Sequence, residues 1–121
     1  MMKKILIADD EPDVLDLVRT LFSKTGYEVI EAKNGAQAWD LVRQHRPDLV
    51  LVDYRMPLLN GIQVCQKIKA DEDLKHTPVI FITASPGIIT PDMVTACGAN
   101  DYVVKPFDIM ELFEKVKRLI E

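Results

Sequence analysis

Arg46-Pro47-Asp48-Leu49-Val50-Leu51-Val52-Asp53-Tyr54-Arg55-Met56-Pro57 is the stretch on which the fold turns. Leu49 to Val52 are continuously apolar and half β-branched. That composition suits a strand buried on both faces in the middle of a parallel sheet. Asp53 then sets a carboxylate at the carboxyl end of the strand, just before a turn. In an open α/β sheet, ligands bind in the crevice outside the carboxyl ends of the strands. The question is which other side chains gather at Asp53.

The flanking sequence repeats one pattern. Lys4 to Ala8 reads as a first strand, followed at once by Asp9-Asp10-Glu11. Pro12 suits the first turn of a helix, and acidic neighbours suit its dipole. Val14, Leu17, Val18, Leu21 and Phe22 then fall on one helical stripe, and Gly26 ends it. Tyr27 to Ala32 is a second strand. Asn34 N-caps a second helix with Ala38, Leu41 and Val42 inward. Beyond Asp53, Asn60-Gly61 opens a third helix with Val64, Cys65 and Ile68 inward. Pro78 to Thr83 is a fourth strand. Thr90-Pro91 starts a short fourth helix with Met93, Val94 and Cys97 as its apolar face, and Gly98 ends it. Asp101 to Val104 is a fifth strand, Lys105-Pro106 a loop. A last helix starts near Asp108, with Ile109, Leu112, Phe113, Val116 and Ile120 inward.

Five strands alternating with five helices make an α/β fold, a parallel sheet with right-handed crossovers and helices on both faces. A closed barrel needs eight units and about twice this length. The open, doubly wound, flavodoxin-like sheet of order 2-1-3-4-5 fits, with its switch point between strands one and three. That layout sets Asp9 and Asp10 beside Asp53. Residues 1–121 are expected to form one domain.

Composition excludes several classes. Of the residues, 48% are hydrophobic and 28% charged, as in a globular protein, and the net charge of −4 argues against a general nucleic-acid surface. Leu49–Val52 and Val79–Ile82 are far too short to span a bilayer. The basic start at Lys3-Lys4 meets Asp9-Asp10-Glu11 too soon for a signal peptide. The expected location is the cytoplasm, with no membrane and no direct nucleic-acid partner. Cys65 and Cys97 form no CxxC pair and sit in apolar patterns. They read as reduced, buried small side chains, with a disulfide or redox role as the alternative.

Three carboxylates at neighbouring strand ends repel one another. Each like-charged pair at 4 Å costs about 4 kcal/mol at an effective dielectric near 20. A hard divalent cation removes that cost, and a small all-oxygen cluster suits Mg2+. A metal beside a free Asp53 oxygen suits phosphoryl transfer to that carboxylate. Thr83 with the Ala84 amide, and Lys105, end the next two strands and add a hydroxyl, an N–H and a cation on the same sheet edge.

On these motifs the chain resembles a receiver domain of the two-component response-regulator family, of the kind found in chemotaxis regulators. The motifs are Asp9-Asp10, then Asp53 with Met56-Pro57 and Gly61, then Thr83-Ala84, and finally Lys105-Pro106-Phe107. The likeness runs from Ile5 to the last helix. It implies that Asp53 is the phospho-acceptor, charged by a sensor histidine kinase or a histidine phosphotransfer protein, and more slowly by acetyl phosphate. It implies Mg2+ bound by Asp10, Asp53 and the Arg55 carbonyl, with Asp9 acting through water. Lys105 and Thr83 would contact the phosphoryl group, and the Lys105–Pro106 bond would be cis. Thr83 and Tyr102 would be the switch pair. Arg55 and Ser85 match positions that tune hydrolysis of the aspartyl phosphate. Such a phosphoprotein is a signalling switch rather than an enzyme, with self-phosphorylation and autodephosphorylation as its only chemistry. It would act on a downstream protein or output domain through helix four, strand five and helix five, and the resemblance leaves open a homodimer through that face. The sequence departs from the family at bulky Tyr54 and in the apolar, proline-bearing stretch 86–91.

Single residues have plainer readings. Asp9 or Asp53 alone would be a turn residue, Asp10 an N-cap, Thr83 a β-former and Lys105 a solvated lysine. Their ordered placement at successive strand ends outweighs this. Tyr102 either switches or covers the edge of strand five. Trp39 reads as packing, His45 and His76 as surface histidines, Met56 as a loop anchor. Three rivals remain. One is an Mg-dependent phosphatase with an Asp nucleophile, which would want a second Asp where Arg55 stands. Another is a flavodoxin-like electron carrier, which would want a Ser/Thr/Gly-rich loop after strand one. The third is a receiver-shaped scaffold that is never phosphorylated.

Overall fold

The computed structural model describes residues 2–84, 87 and 89–121. Ser85 lies outside them. The elements run β1 (Lys4–Ala8), α1 (Pro12–Lys24), β2 (Glu28–Ala32), α2 (Gly35–His45), β3 (Leu49–Asp53), α3 (Gly61–Ala70), β4 (Val79–Thr83), α4 (Pro91–Ala96), β5 (Asp101–Val104) and α5 (Ile109–Ile120). The strands form one parallel sheet of order β2-β1-β3-β4-β5, as the alternation predicts. Tyr27 precedes β2 rather than opening it, yet it is buried in the core.

All of β3 and β4 is buried, which is why their sequences show no polar alternation. Successive side chains point to opposite faces of a strand, so the runs divide between two cores. Leu6, Val50, Val52, Val79 and Phe81 meet α2, α3 and α4 through Ala38, Val42, Val64, Ile68 and Val94. Ile5, Ile7, Leu49, Leu51, Ile80 and Ile82 meet α1 and α5 through Leu15, Val18, Phe22, Leu112 and Val116. The stripe of α1 is rotated from the expected one. Leu15 enters the core, whereas Leu17 is 45% exposed. The centre of the buried face is Leu15, Val18 and Phe22, and Leu17 falls outside that arc.

Local capping explains most helix starts. Asn34 Oδ1 accepts the Gln37 N–H on α2 at 2.8 Å, and Thr90 and Asp108 serve α4 and α5 in the same way. On α3, Asn60 and Gln63 form a reciprocal capping box, each bond 2.9 Å. Replacing Asn60 by Ala orphans the Gln63 N–H and should lower stability by about 1 kcal/mol, read from the urea midpoint. Helix α1 is the exception. Its N-cap, Glu11, makes no side-chain capping bond.

Candidate functional site

Parallel register brings the strand ends level. Ala8 pairs with Val52, so Asp9 and Asp53 follow at neighbouring positions. Asp53 pairs with Ile82, and Thr83 pairs with Val104. The Lys105 N–H donates to the Thr83 carbonyl at 2.7 Å. Asp9, Asp53, Thr83 and Lys105 therefore share the carboxyl edge of the sheet because each lies at or just beyond a strand's last residue.

The Lys105 ammonium is the centre of charge. Its Nζ lies 2.9 Å from Asp9 Oδ2, 2.9 Å from Glu11 Oε1 and 3.1 Å from Asp53 Oδ2. Carboxylate oxygens of Asp9, Asp10, Glu11 and Asp53 all lie within 4.8 Å of one another. Asp9, Asp53 and Thr83 are buried, while Asp10 and Glu11 are exposed. Asp9 Oδ1 accepts the Glu11 N–H at 2.9 Å, and Asp53 Oδ1 accepts the Arg55 N–H at 3.2 Å. Arg55 and Asp10 line one cavity with Tyr54, Met56, Pro57 and Asn60. Ala84 lines another with Lys105 and Glu11. Tyr102 is half-buried against the α2–α3–α4 core. The Lys105–Pro106 bond is cis, and Met56 is buried as a loop anchor would be.

Glu11 is the residue that sequence reading missed. It belongs to the Asp9-Asp10-Glu11 run, but as a helix-start acid its side chain had an adequate local explanation. Its carboxylate goes instead to Lys105, 94 residues away in the chain, which is why α1 starts without a side-chain cap.

Four clustered carboxylates, three of them on the one ammonium, leave an excess of negative charge. Asp9 Oδ2 is buried and receives no aligned hydrogen bond among the described residues, although the ammonium is at ion-pair distance. An all-oxygen cluster with an under-satisfied buried carboxylate fits a hard divalent cation such as Mg2+. Burial and this excess together perturb Asp53. Burial, and then the charge of Asp9, push its carboxyl up to about 6, against the opposing pull of Lys105 and the Arg55 N–H. Burial alone would lower the Lys105 ammonium, but close contacts with Asp9, Glu11 and Asp53 raise it overall.

A pH dependence follows. Folded Asp53 holds its proton more tightly than the unfolded residue does, whose pKa is near 4. With divalent cations chelated, the resulting penalty is absent below about pH 4 and complete above about pH 6. The Asp53→Asn variant should therefore gain on wild type across this window, by about 1–3 kcal/mol at its upper end. Urea unfolding of both proteins in chelator, from acid to neutral pH, checks the sign.

Among known proteins, the family model for the response regulator receiver domain matches residues 5–117. The polar-differentiation response regulator DivK of Brucella anthropi is 36% identical over 117 residues, covering 97% of this chain and 95% of that protein. The structure of the chemotaxis response regulator CheY4 of Vibrio cholerae superposes with a TM-score of 0.90 at 27% identity, covering 98% of this chain and 99% of that one. Response regulator TrrA of Thermotoga maritima, solved in complex with Mg2+ and BeF, gives 0.86 at 36% identity, covering 98% and 99%. No helix among the described residues is long and apolar enough to cross a membrane. By sequence match and by fold, the chain belongs to the response regulator receiver domains of two-component systems.

Proposed function

We propose that Asp53 accepts a phosphoryl group from the phosphohistidine of a sensor histidine kinase or phosphotransfer protein, and that its phosphorylation state controls a partner. One observation carries this reading: a buried carboxylate, Asp53, bound through Oδ2 to the Lys105 ammonium at 3.1 Å inside an acidic cluster. TrrA, the relative solved with Mg2+ and BeF, adds support for the metal.

In the transfer, an Asp53 oxygen attacks phosphorus. The P–N bond to the donor imidazole breaks and a P–O bond to the carboxylate forms. The Lys105 ammonium is placed to exchange its Asp53 contact for a phosphoryl oxygen. The Thr83 hydroxyl and the Ala84 amide are the neighbouring donors for the others. Bound Mg2+, held by Asp10, Asp53 and the Arg55 carbonyl with Asp9 through water, would supply neutralisation of phosphoryl charge. The Asp9–Glu11–Lys105 contacts fix the ammonium before the donor arrives, so little reorganisation is needed during the reaction.

The product carries about −1.5 to −2 of charge, by analogy with hydroxyl phosphorylation. Thr83 would turn toward it and Tyr102 inward behind Thr83, altering the α4–β5–α5 face that meets the partner. Carrying that equilibrium from 1:99 to 99:1 takes about 5.5 kcal/mol of preference between states. Loss of the phosphoryl group by hydrolysis would reset the switch, at a rate set in part by Arg55. The expectation for Ser85 lies outside the described residues.

Labelled acetyl phosphate tests the reading. The protein should acquire label with Mg2+ and none with chelator, and hydroxylamine should release it as it releases acyl phosphates. Label that appears without divalent cation, or that survives hydroxylamine, contradicts it.

A further inference from the structure

The two cysteines, distant in sequence and read as buried core residues, lie together in space and in unequal surroundings. Cys65 on α3 is fully buried, and its thiol donates to the backbone carbonyl of Cys97 at 3.3 Å. Cys97, the C-cap of α4, is only half-buried. Its thiol donates to the Met93 carbonyl at 3.0 Å. It lines an open groove of about 450 Å³ between α3 and α4, with Ile62, Gln66, Lys69 and Met93. Burial first, and then Cys97, push the Cys65 thiol up to about 12, while Lys69 pulls it down. Lys69 is anchored by the carbonyls of Lys75 and Thr77 at 3.1 and 2.6 Å and lines the same groove as Cys97. The groove gives solutes access to Cys97, whereas Cys65, one hydrogen bond away, is sealed from it.

We propose that Cys65 and Cys97 form an oxidation site, in which a peroxide entering the α3–α4 groove oxidises Cys97 and Cys65 resolves the product into a disulfide joining α3 to the end of α4. The Cys97 sulfur, as thiolate, attacks one peroxide oxygen. The O–O bond breaks, the leaving hydroxide takes up the proton that the Cys97 thiol gave up on ionising, and the products are the sulfenic acid of Cys97 and one water. The Cys65 sulfur then attacks the sulfenic sulfur. The S–O bond breaks, and the leaving hydroxide takes the Cys65 proton as a second water. Two thiols lose two electrons in all, and one hydrogen peroxide becomes two waters. The order of events follows from access: solutes reach Cys97 and do not reach Cys65. Closing the bond requires the Cys97 sulfur to leave the Met93 carbonyl, a change confined to the last turn of the six-residue helix α4. Under the proposed function, α4 belongs to the face that responds to Asp53, so the bridge would hold that face against α3. That consequence rests on the phosphoryl-acceptor reading, whereas the oxidation site does not.

The test treats reduced protein with hydrogen peroxide and follows free thiols and intact mass without reductant. Wild type should lose both thiols, become lighter by two hydrogen atoms as a monomer, yield a cross-linked peptide pair containing Cys65 and Cys97, and recover on reduction. The Cys65→Ala variant should stop at a Cys97 sulfenic acid that dimedone traps. The Cys97→Ser variant should leave Cys65 unmodified. Retention of both thiols in wild type, a mass gain of oxygen in place of the bridge, or disulfide-linked dimers would overturn the proposal. None of these readouts depends on phosphorylation of Asp53, so failure here is separable from failure of the acceptor reading.

Discussion

Asp53→Asn protein given labelled acetyl phosphate and Mg2+ should show only background label, while wild type becomes labelled. The substitution keeps the size of the side chain and one oxygen, which can accept from Lys105 or from the Arg55 N–H but not from both. It removes the anionic oxygen that would bond to phosphorus, and an amide cannot form the acyl phosphate. The fold should persist, because Asp53 is the last residue of β3 and the packing of Leu49 to Val52 is untouched. Its ionised form is also the disfavoured one in the metal-free cluster. A cooperative urea transition at neutral pH, no lower than that of wild type in chelator, would exclude misfolding as the cause of lost label. Label at the wild-type level on this variant would remove Asp53 as the acceptor.

Gly35→Ala should be the most damaging single-methyl addition outside the acidic cluster. A Cβ at Gly35 would stand 1.8 Å from the Leu59 carbonyl oxygen and 2.5 Å from its carbon. The obstacle is backbone, so no rotamer change relieves it. Helix α2 or the loop at Pro57–Leu59 has to move, and the Gly35 N–H bond to the Pro57 carbonyl goes with it. Overpacking of this kind costs about 3 kcal/mol at the upper end of its range. The loop begins two residues after Arg55, so more Mg2+ should be needed for half-maximal labelling. Gly87→Ala is the control. A Cβ there meets nothing within 4 Å, and its stability should stay within about 0.5 kcal/mol of wild type. Equal urea midpoints for the two variants would refute the steric account.

Much of this architecture was readable before any coordinates, for local reasons. Leu49 to Val52 and Val79 to Ile82 are apolar without alternation because both faces are covered. Asn34, Asn60 and Thr90 cap helices through bonds that reach only three residues along the chain. Asp9, Asp53, Thr83 and Lys105 were legible as a set because each terminates a strand, and a parallel sheet brings strand ends to one edge. Leu17 was misplaced for a related reason. Several neighbouring stripes on α1 are apolar enough to qualify, and only contact with the sheet selects Leu15, Val18 and Phe22.

Backbone pattern and buried runs, acting over a few residues, were enough to specify five strands, their order and the acids at their ends. Interactions between residues far apart in the chain needed the assembled fold. The Glu11 side chain, which its place at a helix start explains locally, becomes an ammonium partner because Lys105 arrives beside it from the end of β5. Gly35 is irreplaceable because Leu59 crosses it, and Cys65 meets Cys97 because α3 and α4 lie side by side on one face of the sheet. These pairings share one cause: they are set by where separate elements come to rest against the sheet, a distance that no stretch of neighbouring residues encodes.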